Sequence, residues 1–215
     1  MLAIIQARSN SKRVKNKVLH SIYGKPLIQH VIDRVNKSRF VSKLLVATSI
    51  NSKDDKLVNY LKKSKIKTYR GDLKNVAARM LSAANLNKAN FFVRISGDSP
   101  LIDYKLIDRI IKVHKKNGKK FDIVTNVFPR SFPKGQSVEL VKTKILQENL
   151  HVFTKLDLEH VTKYFYKNYK KFKIKNIKNL SKKISLKQSI DTKKDLKNML
   201  YNLDKKNKFE KFKII

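Results

Sequence analysis

Cysteine and tryptophan are both absent from this 215-residue chain. Without a thiol, neither a disulfide framework nor a thiolate metal site can form. That fits a reducing compartment, so a cytoplasmic location is expected. No apolar run approaches the ~18 residues of a membrane helix. Met1-Leu2-Ala3-Ile4-Ile5-Gln6 is too short for the apolar core of an export signal and has no basic segment before it. Acidic residues are scarce as well: 16 Asp and Glu face 51 Lys and Arg, a formal net charge of +35. Taken alone, that excess points to nucleic acid or an anionic surface. Two features weigh against a dedicated nucleic-acid reader. The excess is mostly lysine, whereas readers of bases and phosphates favour the planar fork of arginine. The lysines are also spread over nearly every helix and loop. Weak, salt-sensitive attraction of polyanions is the expected consequence.

The length suits one domain with a proper core. Apolar runs alternate with helical patterns. Strands are expected at Leu2 to Ala7, Leu44 to Thr48, Ile66 to Tyr69, Phe91 to Ser96 and Asp122 to Val127. Between them, helical spacing appears in Leu27, Ile28, Val31, Ile32 and Val35 behind Pro26, then in Leu57, Val58 and Leu61. It recurs in Val76, Met80, Leu81 and Ala84, and in Leu106, Ile107, Ile110, Ile111 and His114. This βαβα order predicts an α/β fold, a mostly parallel sheet covered on both faces. After Pro129 the rhythm changes to a loop, a strand at Ser137 to Val141, helices around 143–152 and 156–168, and a half-exposed strand at Phe172 to Ile177. A terminal helix follows from Thr192 to Leu203 with Thr192 as its cap. No internal repeat, linker or low-complexity tract divides the chain.

Two segments carry chemistry. In Val93-Arg94-Ile95-Ser96-Gly97-Asp98-Ser99-Pro100, an apolar strand ends at a glycine and a carboxylate follows at once. In an α/β sheet this places Asp98 at the carboxyl edge, where ligands bind. It reads either as a metal ligand or as a turn aspartate bonding its own backbone. The loop Ala7-Arg8-Ser9-Asn10-Ser11-Lys12-Arg13-Val14-Lys15-Asn16-Lys17 supplies five basic side chains beyond the first strand. It is either an anion nest or a solvated basic loop. It lacks both the Gly-Lys-Ser/Thr of a Walker A loop and the Gly-x-Gly-x-x-Gly pattern.

The run Ile4-Ile5-Gln6-Ala7-Arg8-x-x-Ser11-x-Arg13-x-x-x-Lys17-Val18-Leu19 resembles the N-terminal motif of the sugar cytidylyltransferases, which make CMP-activated sialic acid and ketodeoxyoctulosonate. The spore-coat polysaccharide branch is the nearest in pattern. The resemblance continues in order through Gly24-Lys25-Pro26-Leu27, Val46-Ala47-Thr48-Ser49, Tyr69-Arg70-Gly71 and Val93 to Asp103. It then runs through Asn126 to Pro133, Glu159-His160-Val161-Thr162 and Ile190-Asp191-Thr192. It implies a Rossmann-like nucleotide-binding fold, CTP as donor, Mg²⁺ as cofactor and a homodimer. It implies nucleotide contacts from Ala7, Arg8, Ser11, Arg13, Lys17, Thr48, Arg70, Arg79 and Ser96. Arg8, Arg13, Lys17 and Asp98 would be the catalytic residues, and Asp98 and Asp191 the metal ligands. Residues 1–128 would mainly bind nucleotide, and 129–215 mainly the acceptor and a second subunit. Asp191 also has the simpler reading of a residue before the last helix.

For the acceptor, an acidic sugar or related small molecule, the candidates are Arg94, Asn126, Arg130, Glu139, Glu159 and His160. Arg94 in its strand needs an anionic partner, and Arg130 in a loop could grip a carboxylate bidentately. Glu159-His160 is expected to open a helix; His160 reads equally as a structural hydrogen bond at that helix start, and Asn126 as a turn residue. The chain departs from the family pattern where Asn10 and Asn16 replace glycines, an exchange asparagine tolerates in left-handed backbone. Gln136-Ser137 stands before Val138-Glu139 where relatives show Leu-Asp, which alters a polar contact to the acceptor. Asn75, Ala77 and Ala78 stand where acidic residues are common. The expected activity is Mg²⁺-dependent cytidylyl transfer in surface polysaccharide or glycan synthesis. The alternatives are a same-fold nucleotidyl- or glycosyltransferase using another nucleotide, or a basic nucleic-acid binder without catalysis.

Overall fold

The computed structural model describes residues 1–9, 16–118, 120–180 and 187–206. The first half alternates strand and helix: β1 (Leu2–Gln6), a short hairpin β2 (Ser21–Ile22) and β3 (Lys25–Pro26), α1 (Leu27–Asn36), β4 (Lys43–Ser49), α2 (Asp55–Lys63), β5 (Thr68–Gly71), α3 (Val76–Leu86), β6 (Phe91–Ser96) and α4 (Tyr104–Lys116). The second half comprises β7 (Ile123–Thr125), β8 (Val138–Lys142), α5 (Thr143–Asn149), α6 (Lys155–His160), α7 (Lys163–Lys167), β9 (Ile174–Asn176) and α8 (Lys193–Lys206).

Seven strands form one sheet in the order β5-β4-β1-β6-β8-β7-β9. Every pairing is parallel except those of β8 with β6 and with β7. The expected mostly parallel α/β sheet is therefore what forms. Along β1 the side chains alternate between two cores. Ala3 and Ile5 join α1, α2 and α4 on one face. Leu2 and Ile4 join α3 and the α5–α7 region on the other. That double burial is why β1 reads as an unbroken apolar run.

From β1 the chain winds outward to β4 and β5, then returns to the other side of β1 as β6. The strand order thus reverses between β1 and β6, and the crevice at their carboxyl ends is where an open α/β sheet receives ligands. Both chemistry-bearing segments leave the sheet there. Gly97 permits the close approach: a Cβ on it would lie 2.8 Å from Ala7 Cβ and 2.9 Å from Gln6 O.

Some boundaries differ from the sequence expectation. The β2–β3 hairpin is absent from the periodicity because two-residue strands are too short to show one. The strand expected at Ile66 starts at Thr68, because Ile66 N–H still donates to Leu61 O at the end of α2. The single helix expected around 156–168 is two, α6 and α7, broken at Val161 with φ +60°, so Glu159 and His160 close a helix rather than open one. The terminal helix has the expected cap: Asp195 N–H donates to Thr192 Oγ1 at 3.1 Å. Among the described residues, no helix is long and apolar enough to cross a membrane.

Candidate active site

Two clefts open at the carboxyl edge of β1 and β6. The first, of about 660 Å³, lies beside the loop after β1 and is lined by Ala7, Arg8, Lys17, Arg79, Ser96 and Asp98, among others, with Glu159, His160 and Asp191 closing it. The second, of about 520 Å³, runs over β6 and β8 and is lined by Arg94, Arg130, Lys134, Glu139, Lys163 and Tyr166, among others. Ser96, Asp98 and His160 line both. The clefts therefore meet at Asp98.

Asp98 is held in place. Ser96 Oγ donates to its Oδ1 at 2.7 Å and Ser99 Oγ at 3.2 Å, while Lys17 Nζ meets Oδ2 at 3.1 Å. Lys17 Nζ also lies 3.6 Å from Asp191 Oδ1, so one nearly buried ammonium sits between two carboxylates from distant segments. Lys187 clamps the far side of Asp191 at 2.8 Å and also reaches Asp195 at 2.7 Å. Burial alone would raise the Asp191 carboxyl, but the Lys187 hydrogen bond and the Lys17 and Lys187 charges outweigh it and hold it below the usual range. Asn16, just before Lys17, has φ 54° and ψ 29°, the left-handed backbone expected of an asparagine in a glycine position.

The donor set suits a hard divalent cation. Two carboxylates converge on one cationic centre, and such ions are held by one or two carboxylates completed by water and substrate phosphates. Among the described residues no cluster of three or more His, Cys, Asp or Glu could ligate a metal.

Beneath the first cleft, fully buried Asp54 accepts from Ser9 N–H at 2.6 Å, from Ser49 N–H at 3.2 Å and from the Ser49 hydroxyl. It pins the start of the basic loop to the end of β4. Arg79 is 1% exposed and donates from Nη1 to Asp72 O at 2.5 Å. Its Nε and Nη2 have no partner among the described residues, nor do the buried hydroxyls of Ser9 and Thr48. Burial, then the neighbouring Arg8 charge, lowers the Arg79 pKa to about 10. Arg8 crosses the cleft mouth to Glu159 at 2.8 Å.

In the second cleft Arg94 is not free. It pairs with Glu139, opposite it on β8, and its Nε donates to Gln6 Oε1 at 3.1 Å. Glu139 is 3% exposed and also accepts from Thr162 Oγ1 at 2.7 Å and Tyr166 Oη at 2.6 Å. Burial, then the Glu139 charge, pushes the Tyr166 hydroxyl well above the phenol range, so it stays a neutral donor. Arg130 keeps only a contact to Ser137 Oγ at 3.1 Å among the hydrogen bonds of the described residues.

The chain matches the cytidylyltransferase family over residues 2–215. It belongs to that family. The spore coat polysaccharide biosynthesis protein SpsF of Bacillus subtilis is 31% identical over 170 residues, covering 76% of this chain and 69% of its own. A solved cytidylyltransferase from Leptospira borgpetersenii superposes with a TM-score of 0.89 at 27% identity, over 95% of this chain and 87% of that one. A CMP:2-keto-3-deoxy-manno-octonic acid synthetase complexed with CTP shares the fold, with a TM-score of 0.72 at 16% identity over 95% and 99% of the two chains.

For this cytidylyltransferase-family chain the expected site residues fall into groups. Ala7, Arg8, Lys17, Arg79, Ser96, Asp98 and Asp191 come together around the first cleft. Arg94, Arg130, Glu139 and His160 line the second. Glu159, expected at the acceptor, lines the first cleft instead, because its side chain turns to Arg8. Thr48, Arg70 and Asn126 line neither. Arg70 pairs with Asp55 at 2.7 Å and donates to Ser49 O and Asn51 O, bracing β5 against the loop before α2. Asn126 is fully buried and bonds the main chain of Gln136 and Val138. Ser11 and Arg13 lie outside the described residues.

Residues the sequence reading passed over include Asp54, Thr162, Tyr166 and Lys187. Tyr166 sits in an aromatic stretch that reads as core. Lys187 carried a usable signal: it lies four residues before Asp191 and eight before Asp195.

Proposed function

We propose that the protein transfers CMP from CTP to an oxygen of an acidic sugar or a related small acceptor and releases pyrophosphate. One observation carries this reading: two clefts, one lined by Arg8 and Lys17 and one by Arg94, Arg130 and Lys134, meet at a single carboxylate, Asp98. An acceptor oxygen in the second cleft would attack the α-phosphorus of a nucleotide in the first. The new O–P bond forms as the bond from that phosphorus to the bridging oxygen breaks, and the electron pair leaves on pyrophosphate. The acceptor proton passes to solvent.

Each side chain has a part consistent with its placement. Arg8 and Lys17 face the nucleotide phosphates, and Ser11 and Arg13, outside the described residues, are assigned to the phosphates from the resemblance alone. Arg79, which lines the first cleft and has two buried donors without a partner among the described residues, is assigned to the nucleotide. Arg130 and Lys134 answer the acceptor's negative charge, while the Arg94–Glu139 pair forms the cleft floor. Asp98 and Asp191 would hold Mg²⁺. That ion would supply charge neutralisation at the α-phosphate and the departing pyrophosphate. Positioning and charge stabilisation then provide the catalysis. We assign the reaction to the cytoplasm, to a homodimer and to surface polysaccharide or glycan synthesis, in keeping with the resemblance. We assign nucleotide binding mainly to residues 1–128 and acceptor binding and dimerisation mainly to residues 129–215, with Glu159, His160 and Asp191 of the second part lining the first cleft.

The test mixes protein, CTP, Mg²⁺ and a panel of acidic sugars, with pyrophosphate release as readout and UTP, ATP and GTP as competitors. Turnover with CTP and at least one acceptor is expected. Asp98→Asn should keep its fold and lose at least 100-fold in kcat, consistent with loss of transition-state charge stabilisation. Absence of CTP binding, or an unchanged rate in Asp98→Asn, would refute the assignment.

A further inference from the structure

Gln136 lines neither cleft, yet its side chain is fully buried between the two segments that carry the carboxylates. Its Nε2 donates to Leu101 O at 2.6 Å and to Gln188 Oε1 at 2.5 Å, and its Oε1 accepts from Asp103 N–H at 2.9 Å. Leu101 and Asp103 follow Asp98 in the chain, and Gln188 stands three residues before Asp191. The backbone continues this clasp. Gln188 N–H donates to Lys134 O at 2.7 Å, and Ile190 N–H to Asp98 O at 3.0 Å. Gly135, at φ +100°, lets the Gln136 segment pack closely on the Asp191 segment: a Cβ there would stand 2.3 Å from the Gln188 carbonyl carbon. Just after β7, the buried Asn126 amide donates to the Gln136 carbonyl at 2.6 Å.

We propose that Gln136 is a positioning residue that sets the separation of Asp98 and Asp191, touching neither. The proposal rests on reading those two carboxylates as the metal-binding pair. Both lie in loops, outside the sheet's hydrogen bonding, so sheet register alone does not fix their spacing. Lys17 draws them together through charge, but an ammonium on a flexible four-carbon stem imposes little geometry. A buried amide is stricter. Releasing any of its three partners leaves a desolvated donor or acceptor unsatisfied, which costs more than the bond itself contributes. Outer groups of this kind orient ligands, and their loss typically weakens metal binding 10–100-fold.

Manganese is the probe, its binding followed by electron paramagnetic resonance with CTP present. Gln136→Met keeps the volume and removes the amide. We expect its Mn²⁺ dissociation constant to rise about tenfold, with the circular dichroism spectrum unchanged and metal-free CTP binding within about twofold. Gln188→Met should move the same constant in the same direction by less, and it carries the test if Gln136→Met does not fold. Asp98→Asn separates the two layers of argument. If it binds Mn²⁺ as the wild type does, the carboxylate reading fails. If it loses Mn²⁺ while a folded Gln136→Met or Gln188→Met binds it normally, the positioning role is overturned. A lower melting temperature with unchanged Mn²⁺ affinity would mark Gln136 as a structural residue only, and would also overturn it.

Discussion

Arg79 is stabilised poorly for a buried cation. Among the described residues it makes one bond to a carbonyl and leaves two donors unpaired, and burial, with Arg8 nearby, pulls its pKa to about 10. A desolvated, half-satisfied guanidinium costs stability, a cost that the proposed nucleotide contact would account for. Arg79→Met should therefore act in opposite directions on two measurements. Denaturant unfolding should show stability unchanged or raised by about 1 kcal/mol. Calorimetry should show the CTP dissociation constant raised at least tenfold, the loss of one charge-assisted hydrogen bond. A loss of stability with CTP affinity intact would make Arg79 a fold residue. At this scale the sequence was legible where a residue type and its local motif agree, as for Asp98 after Gly97 and Asp191 before Thr192. It was not legible where the meaning lies in a partner far along the chain. Nothing near Lys17 announces that its ammonium will sit between two carboxylates, and nothing near Gln136 announces Leu101 and Gln188.

At the scale of elements, the short helix α6 carries both Glu159 and His160 to the clefts. Its start is a capping box, with Thr154 and Asp157 exchanging side-chain and backbone bonds. Its end is the turn at Val161, where Thr162 N–H donates to His160 O at 2.6 Å across a β-branched residue at positive φ. Such backbone costs on the order of 1–3 kcal/mol and concentrates at functional sites. Here it turns the chain sharply enough to place His160 in both clefts and the Thr162 hydroxyl on Glu139. The periodicity showed a helical region but not the break, because neither glycine nor proline marks it. Asp157 makes the cap testable by pH. Burial would raise its carboxyl, but the Thr154 hydrogen bonds and Lys167 outweigh that and hold it below the usual range. A carboxyl lowered by folding contributes stability that is complete above its unfolded pKa, near pH 4, and is lost as pH falls through the folded value. Asp157→Asn should cost on the order of 1 kcal/mol at pH 7 and progressively less as pH falls through the folded value. A cost that does not change with pH would show that the charge of Asp157 plays no part.

At the scale of the whole molecule the net charge of +35 is the largest electrostatic fact. The fold distributes it: the ion pairs at the crevice involve Arg8, Lys17 and Lys187, while most other lysines remain on the outer surface. The parallel order was legible because each buried strand is an apolar run flanked by amphipathic helices. The β8–β7 reversal was not, since antiparallel insertion leaves no mark in a short buried strand. A diffuse positive field raises the encounter rate of a triphosphate without specifying it. A nucleic-acid reader would need cations concentrated along a track. The two cases separate by salt. Raising ionic strength from about 50 to 200 mM should abolish oligonucleotide binding, since each neutralised phosphate contributes to the salt slope. Over that range kcat/KM for CTP should fall only several-fold and kcat should hold, because the residues that meet the nucleotide lie inside a cleft where screening is weaker. Oligonucleotide binding that survives moderate salt with a sequence preference would instead favour a nucleic-acid role for this surface.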